Sequence, residues 1–306
     1  MESSIANAIV DALIRAGTLG LFALGLTIVF KILRFVNFAH CEIGILGGYI
    51  AYFLNSSLGM NLTLSTLLSM CAIGLIGVCI HRIVLKPIQH SSSLTKLITT
   101  IGLSMVLMSI MLMCFGPQVK HYNIGLGKPI EIYGVNTTRE EILMLAIVGI
   151  SMVLFHLLLS RTKLGKAMRA TSSNFPLAEA AGINTEVITG WIWFIASASA
   201  GLAGVIAGVR MGLEPFMGFH GLLLPVVVVA IVGGFGNPYG AILGAVVLSL
   251  VESFLLSFDF SWLINMGGLL TIVSRTYLPV MYAPLIFFGA LILILLKKPK
   301  GLMGGD

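Results

Sequence analysis

Apolar residues fill this chain in runs of about 20, separated by short polar or glycine-rich stretches, and strand-type alternation does not recur. About 20 apolar residues, rising ~1.5 Å each, cross a ~30 Å hydrocarbon layer as a helix. The pattern predicts an all-α, polytopic transmembrane helical bundle of about nine spans, eight to ten, in a single domain over 1–306. Spans are expected near 8–29, 36–54, 63–84, 94–115, 142–160, 186–209, 238–258 and 279–296. A shorter apolar segment lies near 221–235. Another piece, Trp262 to Val273, is too short to span and contains Gly267 and Gly268; it reads as interfacial or packed on the bundle. Two spans look broken. A polar break precedes Ile45-Leu46-Gly47 and a glycine break precedes Ile242-Leu243-Gly244, each at the cytoplasmic end of an inward span. This is a weak internal repeat of the kind transporters carry.

Composition agrees with lipid as the solvent. The chain is 58% hydrophobic and 10% charged, with mean hydropathy +1.04, against roughly 25% charged in a soluble domain. The net charge of +6 reads as membrane topology rather than nucleic-acid binding, because cytoplasmic loops gather Lys and Arg. With the N-terminus outside, the inner segments hold Lys31, Arg34, Arg82, Lys86, Lys96, Arg161, Lys163, Lys166, Arg169, Lys297, Lys298 and Lys300. The outer ones hold only Lys120, Lys128, Arg139, Arg210 and Arg275; Arg15 falls within the first span. This orientation puts the C-terminus in the cytoplasm only if 221–235 crosses the bilayer, so it is counted as a crossing. No Lys or Arg precedes Arg15, so the basic start of a cleaved signal peptide is missing and the first run is expected to stay as a span. Cys41, Cys71, Cys79 and Cys114 lack zinc or disulfide spacing and read as small buried hydrophobes.

Four features stand out. Asn37-Phe38-Ala39-His40-Cys41-Glu42, followed by Gly44, Gly47 and Gly48, sets a His and a Glu beside hydrocarbon. Such groups line a water-filled path or the bundle interior; the alternative is a cytoplasmic loop in which Asn37, His40 and Glu42 are merely solvated or cap the second span. No third ligand accompanies His40 and Glu42, so no metal site is expected. Gly233-Gly234-Phe235-Gly236-Asn237-Pro238 is either a broken helix along the path or a tight hairpin. The segment 161–185 is basic, then carries a short helical piece after Pro176 that ends at Gly182. It suits docking on another protein or resting on lipid head groups. Ala196, Ala200, Gly204 and Gly208, four apart, share one face and read as helix packing. No phosphate loop, HExxH or GxSxG is present, and Glu252 and His156, inside spans, have no obvious partner in sequence.

Several blocks resemble one family in order along nearly the whole chain. NFAHCEIGILGGYIAYFL, RTKLGKAMRAT with AEAAGIN, PVVVVAIVGGFGNPYGAILGAVVLSLVE and LKKPKGLMG are similar to signatures of permease subunits of bacterial ABC importers for branched-chain amino acids. The resemblance implies a non-enzymatic membrane subunit of the inner membrane. Its partners would be a second permease subunit, either a related chain or a second copy, two ABC ATPase subunits that hold ATP and Mg, and a periplasmic substrate-binding protein. It implies that Asn37, Phe38, His40, Glu42, Gly44, Gly47 and Gly48, with Gly233, Gly234 and Gly236, flank the translocation path. It places ATPase coupling on Arg161, Lys163, Gly165, Arg169, Glu179, Ala180, Ala181 and Gly182. Cys41 stands where the family usually has glycine, and Leu223-Leu224-Pro225 where it often has Lys-Ala-Phe. Relatives of this family carry urea, short amides or other amino acids, and a stand-alone channel or secondary transporter is the competing class.

Overall fold

The computed structural model describes residues 2–124, 130–132, 135–137, 139–257 and 283–304. Eleven helices appear among them: α1 (Glu2–Leu33), α2 (His40–Tyr52), α3 (Leu62–Ile80), α4 (Ser93–Phe115), α5 (Arg139–Arg161), α6 (Lys163–Ser173), α7 (Phe175–Ala180), α8 (Thr185–Met211), α9 (Leu223–Gly233), α10 (Pro238–Ser257) and α11 (Ala283–Lys297). Single π-helical turns extend α2 (Phe53–Ser57) and α3 (His81–Leu85) and lead into α9 (Met217–Leu222). A three-residue hairpin pairs Ile130–Ile132 with Val135–Thr137. Helix starts follow the side chains that accept otherwise unpaired N–H groups. Asn61, Ser92, Thr162, Asn174 and Asn184 cap α3, α4, α6, α7 and α8 in turn.

Among the described residues, six helices are long and apolar enough to cross a membrane: Ala8–Ile32, Leu62–Leu85, Ser93–Phe115, Ile142–Arg161, Thr185–Met211 and Pro238–Ser257. The count of about nine is therefore not reproduced at full length. The expected second span is only 13 α-helical residues plus a π turn. Met217–Gly233 and Pro284–Lys297 are also shorter than a span. Hydropathy alone cannot distinguish a helix that crosses from one that starts at depth. The piece Trp262 to Val273, the first residues of the last expected span, Lys128 and Arg275 lie outside the described residues.

The apolar windows of α1 and α8 are 83% and 89% buried, whereas those of α4 and α5 are 22% and 17% buried. The first pair therefore forms the centre of the bundle and the second lies on its outside. Gly25 meets Ala196 and Asp11 reaches Arg210, so α1 and α8 run antiparallel. Gly20 approaches Ala245 and Arg15 meets Glu252, which lays α10 antiparallel to α1. Ile73 meets Gly201 and His81 stacks on Trp193, so α3 is antiparallel to α8. Two triplets interlock in this way, α1–α2–α3 and α8–α9–α10, each a long buried helix, a short one and another long one. The central helices run in opposite directions, as in inverted repeats. This corrects the register of the repeat: Ile45-Leu46-Gly47 packs in α2 against α8, while Ile242-Leu243-Gly244 lies in α10 against α9.

The small-residue face of α8 packs as expected. Ala196, Ala200, Gly204 and Gly208 are buried, and Gly204 admits the backbone of Gly44. The cysteine expectation holds for Cys41 alone; Cys71, Cys79 and Cys114 are on the exterior of the bundle. An apolar residue in a membrane protein can be shielded by lipid as well as by protein.

Candidate translocation and coupling sites

The first break lies deeper than the sequence suggests. The chain leaves α1 at Arg34, which has φ 54°, and turns back so that a ring nitrogen of His40, Nε2, donates to the Phe22 carbonyl at 3.1 Å. Phe22 is nine residues before Lys31, or ~13 Å along the helix. So α2 begins inside the bundle and not at the cytoplasmic end. Asn37 makes this start possible. Its Oδ1 accepts the Ala39 N–H at 3.1 Å and its carbonyl accepts the His40 N–H at 3.2 Å, standing in for the missing preceding turn.

Asn37, His40 and Glu42 are 0%, 1% and 0% exposed, so none is solvated in a loop, although Asn37 does cap the start of α2. The Glu42 carboxylate accepts the Phe219 N–H at 2.6 Å and lies against Gly218, where a Cβ would stand 2.6 Å from its carboxyl carbon. The π turn 217–222 thus folds over α2. Asn37 Nδ2, His40 Nδ1 and the second Glu42 oxygen have no protein hydrogen-bond partner. Phe38 is half-buried against the main core. Gly44, Gly47 and Gly48 serve a different purpose at close range: they seat α2 on Ala200, Gly201 and Gly204 of α8.

The second break is a turn beside the end of α1, where Phe235 packs on Phe30 with ring centroids 4.4 Å apart. Gly234 and Gly236 have φ of 103° and 87°, conformations open to glycine. Gly233 and Gly240 pack backbone to backbone. The C-terminal tail covers the end of α9: the Leu302 and Met303 N–H groups donate to the carbonyls of Val232 and Gly233 at 2.7 and 3.1 Å. Asn237 Nδ2 donates to the Met303 carbonyl at 3.0 Å, while Asn237 Oδ1 caps α10. Gly236 lines a 480 Å³ cavity with Lys31, Arg169 and Met303. The two breaks thus differ: one is at depth within the bundle, and the other is a turn covered by the C-terminal tail.

The segment 161–185 forms an elbow of α6 and α7. Gly165 is required where α5 turns into α6, because a Cβ there would collide with the carbonyls of Leu158 and Leu159. Arg169 donates to the Leu159 carbonyl. Arg161, Lys163, Glu179, Ala180, Ala181 and Gly182 are all exposed. Phe175 and Leu177 also expose 43% and 65% of their surface. Gly182, with φ 82°, ends α7, as its sequence position predicts.

One charged pair escaped the sequence reading. Arg15 Nε lies 2.5 Å from Glu252 Oε2, and Glu252 is 1% exposed. A second pair, Arg210 with Asp11 at 2.7 Å, is close by. The available signal was one lone charge of each sign within two different spans.

A bundle of apolar helices, with short helices beginning at membrane depth and charged groups held inside, defines a multi-pass membrane transport protein. The sequence profile of the family described as "Branched-chain amino acid transport system / permease component" matches residues 8–296. The chain belongs to this family. It is 27% identical over 303 residues to LivH, a high-affinity branched-chain amino acid transport system permease protein of Salmonella typhimurium, covering 94% of this chain and 91% of that one. It is 28% identical over 311 residues to BraD of Pseudomonas aeruginosa, of the same description, covering 97% and 94%. Among solved structures, PsaBC from Streptococcus pneumoniae in complex with Fab matches with a TM-score of 0.52 at 13% identity, over 96% of this chain and 92% of that one. That likeness is one of fold alone.

Proposed function

We propose that this chain is the membrane-spanning permease subunit of an ATP-driven importer that moves branched-chain or other hydrophobic amino acids across the inner membrane by alternating access. The observation that carries the reading is the family match over 8–296, with LivH and BraD supplying the cargo class. The chain performs no covalent chemistry. ATP hydrolysis takes place on two partner ATPase subunits, a second permease subunit completes the path, and a periplasmic binding protein delivers the solute. Nine crossings, with the N-terminus outside, fit the charge distribution once α2, α9 and α11 count as shortened spans.

The elbow α6–α7 transmits ATPase movement. Its exposed cations, its uncovered Phe175 and Leu177, and the exposed Glu179 suit a groove on a soluble partner. The buried polar groups Asn37, His40 and Glu42 flank the path, with Phe38, and Gly44, Gly47 and Gly48 set the α2–α8 distance beside it. Gly233, Gly234 and Gly236 hold its inner end. Purification of the chain with its native partners tests the reading: an ATPase is expected to co-purify. Glu179→Arg, on the exposed elbow, is expected to lower uptake about tenfold with unchanged membrane abundance, the loss of a charged interface contact. Full transport without any ATPase overturns the proposal.

A further inference from the structure

A 380 Å³ cavity opens among α1, α8, α9 and α10, on the side where Asp11 meets Arg210. Small-ligand pockets span roughly 300–1,000 Å³, so this one suits a compact solute. Its charged wall holds Asp11, Arg15, Arg210 and Glu252. Its apolar wall includes Leu19, Met217, Leu222 and Leu256. Pro225, from the stretch that departs from the usual family sequence, lines it as well.

The charged groups are arranged but not saturated. Glu252 is almost fully buried; Oε2 is drawn to Arg15, and Oε1 has no partner. The guanidinium of Arg15 also lies 5.8 Å from the ring centroid of Phe287, which fixes it between the carboxylate and an aromatic face. Arg15 and Arg210 side chains remain 30% and 31% exposed, leaving donors open to the cavity. Two carboxylates and two guanidiniums sum to zero. A ligand of single charge would leave that charge uncompensated in a confined, partly apolar space. A ligand carrying both charges adds none. The apolar wall then takes a hydrocarbon side chain.

We infer that this cavity is a binding site for a neutral zwitterionic amino acid, its carboxylate on Arg15 and Arg210, its ammonium on Glu252 and its side chain against α9 and α10. The inference rests on the importer reading for its cargo class, and the site is separate from the buried groups of α2. Arg15 and Glu252 act as specificity determinants because each rejects a ligand lacking the opposite charge.

The test uses the purified full chain in lipid nanodiscs with radiolabelled L-leucine. Saturable binding is expected. The deaminated analogue 4-methylpentanoate and the decarboxylated analogue 3-methylbutylamine are expected not to compete at about 100-fold excess, since each leaves one charged partner unmatched. Glu252→Gln and Arg15→Gln are each expected to weaken binding at least about tenfold. The charge-swapped pair Arg15→Glu with Glu252→Arg restores an ion pair, so it is expected to recover thermal stability without leucine affinity. Absent leucine binding, equal competition by either single-charge analogue, or full affinity in Glu252→Gln overturns the inference. The two readings fail separately. Leucine binding with no ATPase partner sinks the importer alone, and ATP-driven uptake with an unaltered KM in Glu252→Gln sinks the site alone.

Discussion

A Cβ at Gly204 would land on the backbone of Gly44, 2.6 Å from its carbonyl carbon and 3.2 Å from the Ile45 nitrogen. Backbone cannot step aside as a side chain can, so α2 and α8 would have to separate. Gly204→Ala is therefore expected to destabilise the bundle by roughly 1–3 kcal/mol, the usual cost of overpacking, read as a lower unfolding temperature in detergent. Gly149, on the outside of α5, has nothing within 4 Å of where a methyl would stand. Gly149→Ala is expected to be neutral or slightly stabilising, since alanine is the better helix former by about 0.5–1 kcal/mol. The four-residue spacing of small residues in α8 was readable directly. What they receive was not, because it is the backbone of a segment some 160 residues away. The same holds for Glu252, whose partner Arg15 lies on the first helix.

Short helices are the elements on which this fold turns. α2 can begin at depth because Asn37 and the Phe22 carbonyl satisfy groups that a full helix would satisfy itself. α9 can stop at Gly233 because the chain's last described residues cover its carbonyls. Deleting 300–306 removes the Leu302 and Met303 bonds and the Asn237 anchor together. At about 0.5–1.5 kcal/mol per bond, the turn 230–240 is expected to open more often. Hydrogen exchange should show faster amide turnover there, with α3 and α4 unchanged. An unaltered exchange profile would mean the tail is not what holds this turn. The tail block LKKPKGLMG was visible as a family-like motif, but its role as a cover for α9 depends on a contact across 66 residues, from Asn237 to Met303.

Among the described residues, α1 and α8 form an antiparallel centre, and α4 and α5 lie on the outside. Lys31 and Arg169 share one cavity with Met303, whereas Arg210 joins Asp11 at the other end. A green fluorescent protein fused after Asp306 is expected to fluoresce and alkaline phosphatase at the same point to be inactive, as a cytoplasmic C-terminus requires. The reverse pattern would invert the proposed topology. The order of residues was enough for the class, the approximate place of the long helices and the short helix α7, while α6 lay within what reads as a basic segment. Those follow from local quantities: hydropathy over a span-length window, capping residues, and glycine where φ is positive. It took the packed chain to show that α2, which follows one break, and α9, which ends at the other, are short, that one break is buried and the other is an end-turn, and that Arg15 meets Glu252. These depend on which surfaces protein covers and which lipid covers, and a hydrophobic residue is written the same way for both.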